Sequence, residues 1–496
     1  ALLCRAARRD GCAAAPTPPP PVVARPSASA VAAEPPWSPT PDADFRQSPP
    51  SAGMAPAWLA PVPTAGTLGN GVRVLVVTRT NLPMVVVHIA TRGGADRQPI
   101  AGLGSFVGEM LEQGTSTRDA MHLSEAFAAI GAEHHAWVDW DSGNVWVKVL
   151  RDRLDDALAL VAEMTTRPAF AEAEVERLRS QRFARLSQRV DAPDAILRDT
   201  VARVLYAGHV YGQPLIGNRE SIARITPERC RSFYESMFVP ERVHVAVVGD
   251  VDAGEVTRKL DALLGSWRPP KRALPVLAPA PVQRPGVFVV DRPGARQSHV
   301  AMCGIGPVRT GAELDAALVA NAIFGGMGTS RLNGNLRETH AWTYGARSSF
   351  DLRLGSGPFT AGAAVETAHT VDAIGEMVRE LEQLRRLGVT REELSRARVS
   401  LVQTLPGRFE SNVATAASVA WLGVYGLPLD EYRSLPDRVE AVGQDEVRAA
   451  AARWLDSRKM RLVIVGDAEK FRDELAGLGL GPVRWMDADG RPVASR

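Results

Sequence analysis

The chain repeats itself. HVAVVGDV at 244–251 returns as RLVIVGDA at 461–468, VYGQPL at 210–215 as VYGLPL at 424–429, and EMLEQGTSTR at 109–118 as IFGGMGTSRL at 323–332. The offsets are 217, 214 and 214 residues, in one order and one register. A near-constant offset across three segments implies a duplicated unit of about 200 residues, so the fold must be one that can be built twice in a single chain.

Each unit alternates short strands with amphipathic helices. In the first, TLGNGVRVLVVTRT places an Asn70–Gly71 turn signal between alternating apolar positions, and PMVVVHIATRGG supplies a second strand. Helical spacing follows over 102–113, strands over 133–150 with a turn at Asp141–Gly143, then helices near Leu154–Met164 and over Glu172–Arg189. In the second, Val371, Ile374, Val378, Leu381 and Leu384 recur at helical spacing, and Thr390 with Glu393 forms a capping box. Hairpin turns favour antiparallel pairing, so the expected class is α+β: two duplicated domains, each a mainly antiparallel sheet covered by helices on one face.

Composition sets the boundaries. Residues 1–65 are dominated by Ala, Pro and Ser, with too few large apolar groups to order a core, and read as a disordered tether. RPPKRALPVLAPAPVQRPG breaks the pattern with six prolines and reads as a linker over 268–286 between domains at 66–267 and 287–496. The opening ALLCRAARRDGCAAAP and the Pro-rich stretch behind it fit an export or lipoprotein leader, so the expected location is the periplasm or envelope. No apolar run reaches the ~20 residues of a membrane helix. With 58 Lys plus Arg against 56 Asp plus Glu, the net charge of +2 argues against a nucleic-acid footprint. Four cysteines, Cys4, Cys12, Cys230 and Cys303, show no paired spacing, and the last two are expected as buried free thiols.

The stretch GLGSFVGEMLEQGT carries the most specific pattern. Gly102, Leu103, Phe106, Met110, Leu111, Gly114 and Thr115 match a frame in which a helix presents H-x-x-E-H. On these residues, and on the paired VGD-ended halves, the chain from about 66 to 490 resembles the pitrilysin/insulinase family of inverted zinc metallopeptidases. The resemblance implies that family's two-domain half-shell. In such a site two imidazoles one turn apart and a distal carboxylate hold zinc, and a Glu takes a proton from the bound water. Here Ser105, Gly108 and Glu109 stand in the three motif positions, and the register on EVERLRSQRFARL puts the distal ligand near Arg185. His134 and His135 are neighbours on a strand, so their side chains are expected on opposite faces. No metal ligand set is expected in this chain.

The second half keeps a different part of the family pattern. SRLNGNLRETHAWTYGARSSF supplies Arg337 and Tyr344 seven residues apart, within a frame matched by Asn321, Gly325, Gly326, Ser330, Arg331, Leu332, Leu336, Glu338 and Gly345. The resemblance implies that this Arg and Tyr reach a substrate at the zinc; both are donors suited to stabilising an oxyanion on an attacked peptide carbonyl. His340–Trp342 departs from the family's usual Gly before the aromatic stretch. Gly325, Gly326 and Gly328 resemble the glycine-rich loop of the noncatalytic partner chain of the mitochondrial processing peptidase. EHHAWVDWDSGNVWVKV, with Ala136 at its centre, stands where active members offer an edge strand to substrate, and Trp137, Trp140 and Trp146 are candidate pocket walls.

These residues imply a noncatalytic subunit of a heteromeric zinc metallopeptidase. Its partner is a homologous chain with intact H-x-x-E-H that carries the zinc; its substrate is a peptide or unfolded polypeptide. The alternative is an inert peptide-binding or scaffold protein of an envelope or respiratory assembly.

Overall fold

The computed structural model describes residues 43–46, 58–189, 191–270 and 272–493. The expected tether therefore lies mostly outside the described residues, as do Cys4 and Cys12. Its boundary at 65 moves earlier: Ala60 is buried and its carbonyl accepts from the Arg433 guanidinium, and Thr64–Thr67 is already a strand. Asp44–Arg46 is a short helical turn, belonging to a unit separate from the one formed by 58–496.

Two six-stranded sheets organise that larger unit. The first contains β1 (Thr64–Thr67), β2 (Arg73–Thr78), β3 (Met84–Arg92), β4 (Glu133–Val138), β5 (Ser142–Leu150) and β6 (Val243–Gly249), in the order β1-β2-β6-β3-β5-β4. The second contains β7 (Gly286–Asp291), β8 (Gln297–Ile305), β9 (Thr343–Phe350), β10 (Pro358–Glu366), β11 (Arg461–Gly466) and β12 (Val483–Met486), in the order β12-β7-β11-β8-β10-β9. Five strands correspond one for one, β2 to β7 and on through β6 to β11, as the repeat implies. The sixth differs in origin. β1 precedes its sheet in sequence and pairs antiparallel with β2, whereas β12 comes from the end of the chain and pairs parallel with β7. β2 with β6 and β7 with β11 are also parallel, so each sheet is mixed but mainly antiparallel.

Five helices matter for the site: α1 (Leu103–Met110), α2 (Leu154–Thr166), α3 (Glu172–Arg189), α4 (Pro193–Leu205) and α5 (Asn412–Tyr425). On one face of the first sheet, Val85, Val87 and Ile89 of β3 pack against Leu103 and Phe106 of α1 and Leu158 of α2. The opposite face is not left to solvent. Val86 and Ala90, the alternate residues of β3, meet Ala416, Val419 and Ala420 of α5, a helix from the second half. The exchange is reciprocal, for Ile196, Val201 and Leu205 of α4 cover Val290, Ala301 and Val463 of the second sheet. Burial on both faces explains why β3 reads as a nearly unbroken apolar run. Gly423 makes the approach of α5 possible, since a Cβ there would lie 2.3 Å from Cγ of His244 on β6. The halves therefore interlock through α4 and α5, and the Pro-rich connector, without helix or strand among its described residues before Gly286 opens β7, is not the sole tie between them.

A degenerate metal frame filled by guanidinium

α1 is apolar nearly all round, and every residue in it is buried except Ser105 and Glu109. These two lie four apart, one above the other on a single face, as metal ligands of an H-x-x-E-H helix would. The face looks at α3. There Val175, Leu178 and Arg182 are buried at helical spacing, so an arginine occupies a position in an apolar stripe.

The Arg182 side chain is 1% exposed, and its guanidinium fills the space between Ser105 and Glu109. It donates to Glu109 Oε1 at 3.0 Å, Glu109 Oε2 at 3.4 Å, Ser105 Oγ at 3.0 Å and the Ile216 carbonyl at 3.0 Å. Arg185, less than one turn further along α3, grips the same carboxylate with both Nη atoms at 2.8 and 3.1 Å. Burial alone would push the Glu109 carboxyl up; the hydrogen bonds and charges of Arg185 and Arg182 outweigh it and hold the carboxyl below the usual range. Burial draws the Arg182 guanidinium down, opposed by Glu109.

The residues present do not fit a zinc ion. No imidazole stands at 105 or 109, the one carboxylate is already saturated by two cations, and a third positive charge between them would be repelled. The general-base position is closed sterically as well: a Cβ on Gly108 would lie 2.4 Å from the Val138 backbone nitrogen of β4. Among the described residues, no group of three His, Cys, Asp or Glu side chains is placed to hold a metal.

The edge strand β4 is engaged from within. Glu112, just past α1, accepts the backbone N–H of Ala136 at 3.0 Å and lies 3.2 Å from His135 Nδ1 and 3.5 Å from His134 Nδ1. The two histidines keep opposite faces of the strand, His134 towards the core and His135 stacked on Trp137 at 5.5 Å, yet both Nδ1 atoms come within reach of one carboxylate because Glu112 sits beside the strand edge. His134 also stacks on Phe127 at 4.0 Å. Ala136 itself is buried, and a peptide adding to this edge would have to displace Glu112 from its N–H.

In the second half, Arg337 and Tyr344 face solvent. Tyr344, on the edge strand β9, is 93% exposed and has no hydrogen-bond partner among the described residues. Arg337, on the turn Gly334–Thr339, has only Glu338 at 3.5 Å as an ionic neighbour among the described residues. Between them Ala341 adopts φ 55°, the left-handed conformation that favours glycine, held in place as His340 stacks on Trp342 at 4.1 Å and Trp342 on His369 at 5.1 Å. Gly325 and Gly326 belong to the helical segment Ala322–Gly326; Gly325 is buried, and a Cβ there would lie 2.7 Å from the Ser348 nitrogen of β9, while Gly328 lies in open space.

A cavity of about 490 Å³ opens beside Ser105 and Glu109 and is walled on the far side by Asp351 and Arg353 of the second half. Trp140 is one of its walls, whereas Arg337 and Tyr344 take no part in it. Near its rim Asp141 joins the halves, accepting the Tyr425 hydroxyl at 3.0 Å and the Leu354 N–H at 3.0 Å. Burial, reinforced by the neighbouring charge of Asp96, pushes the Asp141 carboxyl up to about 7. Cys230 and Cys303 are buried and free, with burial raising both thiols to about 12.

A duplicated sheet with an H-x-x-E-H helix frame defines the inverted zinc peptidase class of architecture. The Insulinase (Peptidase family M16) profile matches residues 78–219 and the Peptidase M16 inactive domain profile matches 224–401, and the chain belongs to this pitrilysin/insulinase family. It is similar to an uncharacterized zinc protease of Mycobacterium bovis, 29% identical over 419 residues covering 83% of this chain and 94% of that one. A second such protein, from Bacillus subtilis, is 25% identical over 392 residues covering 78% and 94%. Among solved structures, a peptidase M16 inactive domain from Pseudomonas fluorescens superposes with a TM-score of 0.77 at 22% identity, covering 82% of this chain and 97% of that one. A protease from Helicobacter pylori gives 0.77 at 20% identity, covering 82% and 100%. No helix among the described residues is long and apolar enough to cross a membrane.

Proposed function

We propose that this chain is the noncatalytic subunit of a heteromeric zinc metallopeptidase. The partner is a homologous chain with intact H-x-x-E-H, which holds the zinc, and this chain contributes Arg337 and Tyr344 to the substrate carbonyl. The observation that carries the reading is a contrast within one molecule. The metal frame is plugged by Arg182 and Arg185, while Tyr344 and Arg337 project into solvent with no side-chain partner among the described residues beyond Glu338 at 3.5 Å from Arg337. Two donors aimed at a developing oxyanion stabilise the transition state more than the ground state. The inert peptide-binding alternative has less support, since the N–H of Ala136 on the β4 edge is already engaged by Glu112.

The test is a peptide-cleavage assay on this chain alone and in complex with a family member carrying the intact motif. The chain alone cleaves nothing, and the complex does. Arg337→Ala lowers turnover of the complex by on the order of 10²-fold, as loss of one oxyanion donor does, without changing assembly. Full activity of that variant complex overturns the role.

A further inference from the structure

The cavity beside Ser105 and Glu109 has a charge surplus that the fold does not use. Five arginines wall it, Arg182, Arg185, Arg189, Arg198 and Arg353, against three carboxylates, Glu109, Asp199 and Asp351, which leaves two positive charges over. Both can be located. Glu109 is shared between two guanidiniums, and Arg198, exposed on α4, has no ion pair or hydrogen bond among the described residues. Arg189 pairs with Asp199 at 2.6 Å.

Arg353 gives an independent sign. It is 7% exposed and lies between two rings, 4.6 Å from the Trp140 centroid and 4.5 Å from that of Tyr211. Its Nε and Nη2 bind Asp351 at 3.0 and 2.5 Å, but Nη1 is closed off from water with no acceptor. A buried guanidinium donor without an acceptor is destabilising and calls for an explanation.

The geometry points to an anion site: the cavity in the degenerate metal frame takes a carboxylate of an acidic peptide segment, met by Arg185 and Arg198 at the mouth, with the buried Arg353 charge behind them adding to the field and touching no ligand atom. Planar guanidinium forks match carboxylate oxygens in pairs, and low-dielectric walls focus the surplus field on the opening. The walls favour an organic bearer over a free inorganic anion, because Trp140, Tyr211, Pro214 and Leu215 offer apolar surface to a carbon stem. A second cavity of about 720 Å³ adjoins it across Arg189, Asp199, Gln213 and Pro214 and has room for flanking residues. That the bearer is a peptide rests on the reading of the preceding subsection; the site itself belongs to this chain alone. Its test therefore needs no partner and is independent of the Arg337 cleavage assay.

The full chain is titrated by fluorescence anisotropy with a short labelled peptide carrying adjacent Asp residues, with the same peptide carrying Asn, and with inorganic phosphate as competitor. The acidic peptide binds about tenfold or more tightly than its Asn twin, weakens as salt is raised, and loses about tenfold in affinity in Arg198→Glu, whose side chain holds nothing in the fold. Arg185→Ala weakens it in the same direction. Equal binding of both peptides, unchanged affinity in Arg198→Glu, no binding at all, or binding of phosphate with no displacement by the peptide each overturns the assignment.

Discussion

Removing the Glu109 carboxylate exposes what the degenerate metal frame now does. In Glu109→Ala, Arg185 loses its bidentate partner, but its side chain is 45% exposed and water takes over, so that loss is worth less than ~1 kcal/mol. Arg182 has no such recourse at 1% exposure. It keeps Ser105 Oγ and the Ile216 carbonyl and loses its only counter-charge among the described residues, which for a buried pair costs about 3 kcal/mol. The expected destabilisation is therefore about 3–4 kcal/mol, read as a shift in urea midpoint by tryptophan fluorescence and checked by near-UV circular dichroism. The double variant Glu109→Met with Arg182→Met replaces the pair by apolar side chains and returns to within ~1 kcal/mol of the parent. The pH dependence has a fixed sign. The Glu109 carboxyl is depressed in the fold, so its contribution is complete above the ordinary value of 4.5 and is lost as pH falls through the lower folded-state value. A single variant costing under ~1 kcal/mol, or a double variant no more stable than the single, would refute the guanidinium plug as a stabilising element.

Three further outcomes follow from the same geometry. Asp141→Asn keeps an acceptor for Tyr425 and Leu354 while removing a carboxyl held from 3.8 up to about 7, so the folded chain gains up to roughly 4 kcal/mol at alkaline pH and little at acid pH. The parent's stability, conversely, falls as pH rises towards and through about 7; thermal melts that move equally at both ends of the pH range would contradict this. Gly108→Ala costs about 2–3 kcal/mol because the new Cβ meets the β4 backbone, and a melting temperature unchanged from the parent would show that α1 can withdraw freely. For the same reason the reversion Ser105→His, Gly108→Glu, Glu109→His yields neither stoichiometric zinc nor peptide cleavage; recovery of either would show that the helix–strand approach is no barrier.

The frame of α1 and the duplication were legible in sequence because both are written locally, in fixed spacings within one segment. The interlock was harder. NVATAASVAWLGVY is apolar on every side, which already signals a helix buried all round, but which sheet it covers depends on the path of the chain and not on its own periodicity. The family register points to Arg185 and not to Arg182, which the sequence marks only as a guanidinium in the apolar stripe of Val175 and Leu178. Glu112 left no signal, since reaching the N–H of Ala136 and two histidines at once requires a strand edge brought beside α1 by the tertiary fold. Asp141 and Arg353 belong to the junction between halves, where contacts span 284 residues for Tyr425 and Asp141 and no local pattern can foretell them.

In this chain guanidinium groups occupy the degenerate metal frame. The most direct test of this is the zinc content of the purified full chain, by inductively coupled plasma mass spectrometry, after incubation with excess zinc and removal of the unbound ion. The expected result is far less than one zinc per chain, with Arg182 and Glu109 both intact. One tightly held zinc per chain, lost on substitution of Ser105 or Glu109, would contradict it.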